Sequence, residues 1–198
     1  TITTQPVLSI AGVADTEICS DSPNYPIVGV TGSNYSSLLW SSGGDGSFAD
    51  NTLLNPTYIP GTLDRLAASV TLTMTASGNG SCAAVPINLV LNITPAATVN
   101  AGVDAEICET GTYGLGGAFA NAPSALWTTS GTGGFDGGGV FGVATIYTPS
   151  AADILAGSVT ITLTTGDPVG ECGVKFDDLL LTITTQPVLS IAGVADTE

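Results

Sequence analysis

Short runs of alternating apolar and polar residues, set apart by clusters of Gly, Pro, Asn, Asp and Ser, recur along the whole chain. The clearest spans 69–76, where Val70, Leu72 and Met74 fall on one side and Thr71, Thr73 and Thr75 on the other. A period of two is the mark of a strand with one buried and one solvated face. Residues 158–165 show it again, with Val159, Ile161 and Leu163 on the apolar side. In the first half the pattern predicts strands near Val7–Gly12, Pro26–Val30, Ser36–Ser42, Thr57–Ile59, Ser69–Ala76 and Pro86–Thr94. Residues 62–66 and 151–155 read as one-turn helical corners before the penultimate strand of each half. No segment carries a helical period over any length, so the fold class is all-β. Trp40 and Trp127 each sit mid-strand, where a sandwich keeps its largest core side chain.

Repeats set the organisation. Residues 1–17 read TITTQPVLSIAGVADTE, and residues 182–198 read the same, 181 residues later. A looser repeat of about half that length lies inside. EIC at 17–19 returns at 106–108, and AASVTLTMT at 67–75 returns as AGSVTITLT at 156–164, both 89 residues on. The segment around Trp40 matches that around Trp127, Tyr58 matches Tyr147, and Cys82 matches Cys172. Modules of about 90 residues have the size of an immunoglobulin-type sandwich. The expected division is module A over 1–94 and module B over 95–185, with 186–198 opening the next module A. Residues 1–5 would then belong to the end of a preceding module, and Thr-Pro-Ala-Ala-Thr (94–98) is a short link. The absence of an initiator Met or signal peptide before Thr1 reads as truncation or processing.

Composition narrows the function classes. Asp and Glu number 17 against only Arg65 and Lys175, His is absent, and the net charge is −15. That balance argues against nucleic acid and anionic membrane as partners, since both call for a basic surface. With 43% hydrophobic and only 10% charged residues, the chain has the apolar surface to build cores rather than stay disordered. No apolar run approaches the length that spans a bilayer.

Four cysteines with neither a CxxC pair nor His point to disulfides and an oxidising compartment rather than zinc. One reading bonds each module internally, Cys19–Cys82 and Cys108–Cys172. Strand order favours another. In a tandem sandwich the first strand runs from the entry end to the exit end, so Cys19, which follows it, lies at the exit end. Cys82, at the tip of the last hairpin, lies at the entry end. Those ends are roughly 30 Å apart, whereas a disulfide brings Cα atoms within about 7 Å. The favoured pairing is therefore Cys19–Cys172 between modules, with Cys108 bonding the following module and Cys82 the preceding one. Unbonded thiols are the third reading.

Asp15, Glu17, Asp104 and Glu106 cluster near the starts of the modules and are weak calcium candidates. Calcium wants six to eight oxygen ligands, and these acids form no tight DxD-type set, so solvated surface charge is the better reading and no metal or other cofactor is expected. Asp177 and Asp178 read likewise, as charges that discourage edge-to-edge pairing. The Gly-rich stretches 43–46 and 131–139 lack the Lys and following helix of a phosphate loop and read as turns. Asn34, Asn79 and Asn92 match the glycosylation sequon, which a Ser- and Thr-rich chain produces by coincidence. Without His there is no Ser-His-Asp or Cys-His arrangement, and no carboxylate pair marks a cleft; an enzyme is not expected.

Four blocks carry a resemblance: AGVDAEICE, LWTTSGTGGF, the Tyr-Thr-Pro-Ser-Ala-Ala-Asp run leading into AGSVTITLT, and the late GEC cysteine. Together they resemble the PKD/Ig-like repeats of giant cell-surface proteins from Bacteroidota, over essentially the whole chain. The resemblance implies tandem immunoglobulin-like or PKD-like β-sandwiches, export by the type IX route, and display as long filaments. It implies roles in gliding motility, surface adhesion or cell–cell attachment. The expected function is a structural repeat stalk at the cell surface or outside the cell. Its partners would be neighbouring copies in cis, with any surface or glycan ligand reached through distal domains. A carbohydrate-binding module and a self-assembling sheath or surface layer are the alternatives.

Overall fold

The computed structural model describes residues 4–13, 16–78, 80–142 and 146–187. Asp15, Asn79 and nearly all of the segment 186–198 expected to open a further module lie outside them. Two compact units emerge. The first runs to Ala96 and also takes in Pro168–Gly173; the second begins at Ala97 and resumes at Val174.

In the first unit the chain lays down β1 (Val7–Ser9), β2 (Glu17–Cys19), β3 (Tyr25–Pro26), β4 (Thr31–Ser33), β5 (Tyr35–Ser42), β6 (Ser47–Phe48) and β7 (Thr57–Ile59). The short helix α1 (Thr62–Leu66) then leads into the long hairpin of β8 (Ser69–Gly78) and β9 (Val85–Thr94). The main sheet has the order β2-β9-β8-β5, with β2 parallel to β9 and the other pairs antiparallel. A second sheet, β3-β7-β6, and the pair β1-β4 supply the other layer. Alternation puts Val70, Leu72, Met74 and Ala76 of β8 into the core beside Leu89, Leu91 and Ile93 of β9. Trp40, Tyr58 and Ile27 complete it, each at most 1% exposed.

The second unit repeats the plan with β10 (Thr98–Asn100), β11 (Ala105–Cys108), β12 (Tyr113–Gly114), β13 (Ala118–Ala120), β14 (Ala125–Thr129), β15 (Gly134–Phe135) and β16 (Ile146–Thr148). Helix α2 (Ala151–Ala156) precedes the hairpin of β17 (Ser158–Thr165) and β18 (Phe176–Thr184). Its sheets are β11-β18-β17-β14 and β12-β16-β15, with the pair β10-β13. Trp127, Tyr147, Ile161, Leu163, Leu179 and Leu181 form the core. Among the described residues no helix is long and apolar enough to cross a membrane.

Two predicted strands differ from what forms. The full-length first strand ends at Ser9, and the chain turns at Ala11–Gly12 before rejoining the other sheet as β2. Gly12 packs directly on the backbone of Gly29, which holds φ +85°, so neither position has room for a Cβ. The strand expected over Pro26–Val30 stops at Pro26. Ile27 and Val30 stay buried, but Asn55 serves the Val30 backbone with its side-chain amide at 2.9 and 3.2 Å, where a ladder partner would otherwise stand.

Candidate functional site

Each unit is built around a buried carboxylate that composition alone does not flag. In the first, Pro60 follows β7 and α1 begins two residues later, which turns Asp64 back under Tyr58. Asp64 is 3% exposed. It accepts hydrogen bonds from the Tyr58 hydroxyl (2.5 Å) and from the amides of Gly46 (2.9 Å), Gly61 (3.0 Å) and Asp45 (3.2 Å). Such a set offsets the cost of removing a charge from water. The Ser42 hydroxyl closes on Tyr58 at 2.7 Å. Burial, followed by the bond to Asp64, pushes the Tyr58 phenol up to about 12.

The second unit repeats the arrangement, with Ser150 and Thr132 standing where the first has Gly61 and Asp45. Asp153 is 2% exposed and accepts from the Tyr147 hydroxyl (2.8 Å) and from the amides of Ser150 (2.8 Å) and Thr132 (2.9 Å). Burial pushes its carboxyl up, but these donors and the Ser150 hydroxyl outweigh it and bring the group down to about 2. The Gly-rich stretches therefore have a role beyond turning the chain. A Cβ on Gly44 or Gly46 would collide with the Asp64 carboxylate, and one on Gly131 or Gly133 with that of Asp153. Their bare backbones are what lets amides reach the buried oxygens. The signal was present as Tyr-x-Pro-x-x-x-Asp at 58–64 and 147–153, twice at the same spacing.

The second feature is covalent. Cys19 and Cys172 are bonded, their Cα atoms 4.9 Å apart across 153 residues of sequence. Both are 3% exposed. Cys19 ends β2 opposite Thr94, the last residue of β9, and Cys172 Sγ lies 3.4 Å from the Thr94 carbonyl oxygen. Cys82 precedes the other end of β9, and ten strand residues span roughly 33 Å. The within-module pairs Cys19–Cys82 and Cys108–Cys172 do not form, and strand length is the reason. Arg65 secures the turn after Cys19 by donating to the carbonyls of Ser20 (2.5 Å) and Ser22 (2.7 Å). Cys108 ends β11 opposite Thr184, and Cys82 lies in the β8–β9 loop; both are half-buried.

The weak calcium candidates have other contacts. Glu17 accepts from the Thr94 hydroxyl at 2.5 Å, and Asp104 accepts from the Leu180 amide at 2.9 Å. Glu106 is exposed on β11, and Asp15 lies outside the described residues. Among the described residues no group of three or more Asp, Glu, His or Cys is arranged to hold a metal ion. Asp177 accepts from the Ala101 amide (2.8 Å), just after β10, and Asp178 from the Thr162 hydroxyl of β17 (2.5 Å), so both tie β18 to neighbouring segments.

No protein-family model matches the chain. No curated protein sequence matches it either. Among solved structures the chain is similar to domains EC1–4 of Drosophila N-cadherin, with TM-score 0.51 and 12% identity over 92% of this chain and 50% of that one. A weaker likeness, at TM-score 0.45 and 12% identity, covers 90% of this chain and 66% of mouse cadherin-23 EC22–24. The chain thus spans about half the length of the N-cadherin fragment it matches. At such identity the likeness is one of fold. The chain is an all-β protein of immunoglobulin-like β-sandwich repeats, similar in fold to cadherin repeats.

Proposed function

We propose that this chain is a non-catalytic structural repeat of an extracellular stalk or adhesive filament, of the PKD/Ig-like kind carried by giant Bacteroidota surface proteins. The observation that carries the reading is the disulfide from Cys19 to Cys172, which bonds a loop of the second repeat into the unit built from the first. A bond across 153 residues shields nearly the whole repeat pair from extension under load. Disulfides of this kind persist in oxidising compartments. The seventeen-residue identity between the two ends supports a tandem array, in which neighbouring copies are the partners in cis. Gliding motility and type IX export are the finer setting in which such a stalk would work. Both tryptophans are core residues, 1% and 3% exposed, which favours a spacer over a glycan site built on exposed aromatics.

Single-molecule pulling on several linked copies tests this. With the disulfide intact, unfolding one copy is expected to release only the residues outside Cys19–Cys172. Reductant should add about 50 nm of contour length per copy, from the 153 shielded residues at roughly 3.5 Å each. Equal lengthening with and without reductant would overturn the reading.

A further inference from the structure

The surroundings of Cys19 recur around Cys108. Each cysteine ends a short strand parallel to the last strand of its unit, opposite Thr94 in one case and Thr184 in the other. The residue after it donates its amide to that threonine carbonyl at 2.8 Å, Ser20 to Thr94 and Glu109 to Thr184. The residue three beyond the cysteine closes the same turn, Ser22 on Cys19 at 3.0 Å and Gly111 on Cys108 at 2.8 Å. The side chain following the cysteine caps the departing chain, Ser20 Oγ accepting from Ala96 (2.9 Å) and Glu109 Oε1 from Gln186 (3.2 Å). Burial differs. Ile18 and Cys19, beside the bonded loop, are 7% and 3% exposed, whereas Ile107 and Cys108 are half-exposed.

The inserting loop has its counterpart too. Cys172 follows Gly170 by two residues and Cys82 follows Gly80 by two, and both glycines are left-handed, at φ +83° and +60°. Each cysteine lies in the loop of a long hairpin, Cys172 between β17 and β18 and Cys82 between β8 and β9, shortly before the last strand. Charge separates the two loops. The segment 166–175 carries Asp167, Glu171 and Lys175 and enters a site with two acids, Glu17 and Asp21, whose turn is held by Arg65. The site at Cys108 has Glu106 and Glu109, and segment 79–84 brings no charge at all. Ile154 stands in the second unit where the first has Arg65, so an acidic loop would meet uncompensated like charge at Cys108, while the neutral loop would not.

We infer that the Gly-Ser-Cys82 loop of one copy of this chain docks at Cys108 of a second copy and bonds it, joining copies head to tail. This rests on the stalk reading and names the partner of its remaining cysteines. The bond forms between the two sulfurs as two thiols give up two protons and two electrons. A small-molecule disulfide such as oxidised glutathione takes them and is reduced to two thiols. The amide of Thr110 lowers the Cys108 thiol pKa against the opposing effect of desolvation, which favours the attacking thiolate.

The test incubates the 198-residue chain with a glutathione redox buffer, then applies non-reducing gels and peptide mapping. The expected result is a ladder of oligomers, with the Cys82 peptide joined to the Cys108 peptide and Cys19 joined to Cys172. Cys82→Ser and Cys108→Ser should each abolish the ladder, and mixing the two variants should give dimers and nothing larger. Dimers through Cys108–Cys108 or Cys82–Cys82, a Cys82–Cys108 bond within one monomer, or a monomer that keeps Cys19–Cys172 would each overturn the inference alone. Loss of the Cys19–Cys172 peptide from wild-type protein would overturn the stalk reading instead.

Discussion

Tyr58 and Tyr147 each donate a hydroxyl hydrogen to a carboxylate six residues further on, and around each pair the backbone supplies the remaining donors. Because Asp153 is held at about 2, below the ordinary carboxylate value of 3.8, its contribution to stability is complete above roughly pH 4. It is lost as the pH falls through 2, since the unfolded chain then binds the proton first. The size is on the order of 2 kcal/mol. Urea unfolding followed by circular dichroism at pH 5 and pH 2.5 should show this loss in the wild type and a smaller one in Asp153→Asn. Tyr58, raised to about 12, works in the opposite sense: its share is intact below pH 10 and fades as pH rises toward 12. Tyr58→Phe should flatten that alkaline limb.

Among the elements, the hairpin loop and the short parallel strand carry the most consequence. Residues 168–173 leave their own hairpin to join the first unit, where Gly170, at positive φ, lies against the Glu17 carboxylate and leaves no space for a side chain. The disulfide holds this loop in place, and opening it should expose the backbone beside Glu171. In Cys19→Ser, cleavage after Glu171 by a glutamate-specific protease should be faster by about tenfold or more, as local opening no longer breaks a covalent tie. Mass spectrometry of the limited digest reads this directly. An unchanged cleavage rate would mean that packing alone secures the loop.

At the level of the whole molecule, a charge of −15 on 198 residues opposes non-specific association between copies. The acids near the module starts are engaged one at a time, Glu17 by Thr94 and Asp104 by Leu180. Calcium should accordingly leave thermal stability almost unchanged. A site saturated a hundredfold over its dissociation constant would contribute about 2.7 kcal/mol, several degrees in melting temperature. Differential scanning calorimetry with and without millimolar calcium should show a shift under about 1 °C. A rise of several degrees would restore the acids as ligands.

Period-two alternation around Leu72 and Ile161, the 17-residue identity and the two matched tryptophans were enough to read the all-β class and the β-sandwich repeat from residues alone, because burial on one face of a strand dictates residue type locally. The corners at 62–66 and 151–155 were legible for the same reason. Their carboxylates were not, since a buried Asp in a tight corner has the same letter as one in solvent. Bringing Asp64 under Tyr58, spreading Gly44 and Gly46 around it, and breaking the first strand where Gly12 meets Gly29 all depend on contacts between segments distant in sequence. Strand order had already favoured the bond of Cys19 to Cys172 over the other pairings, and the tertiary structure decided it, because the length of β9 together with the loop that joins the first unit left this one in reach.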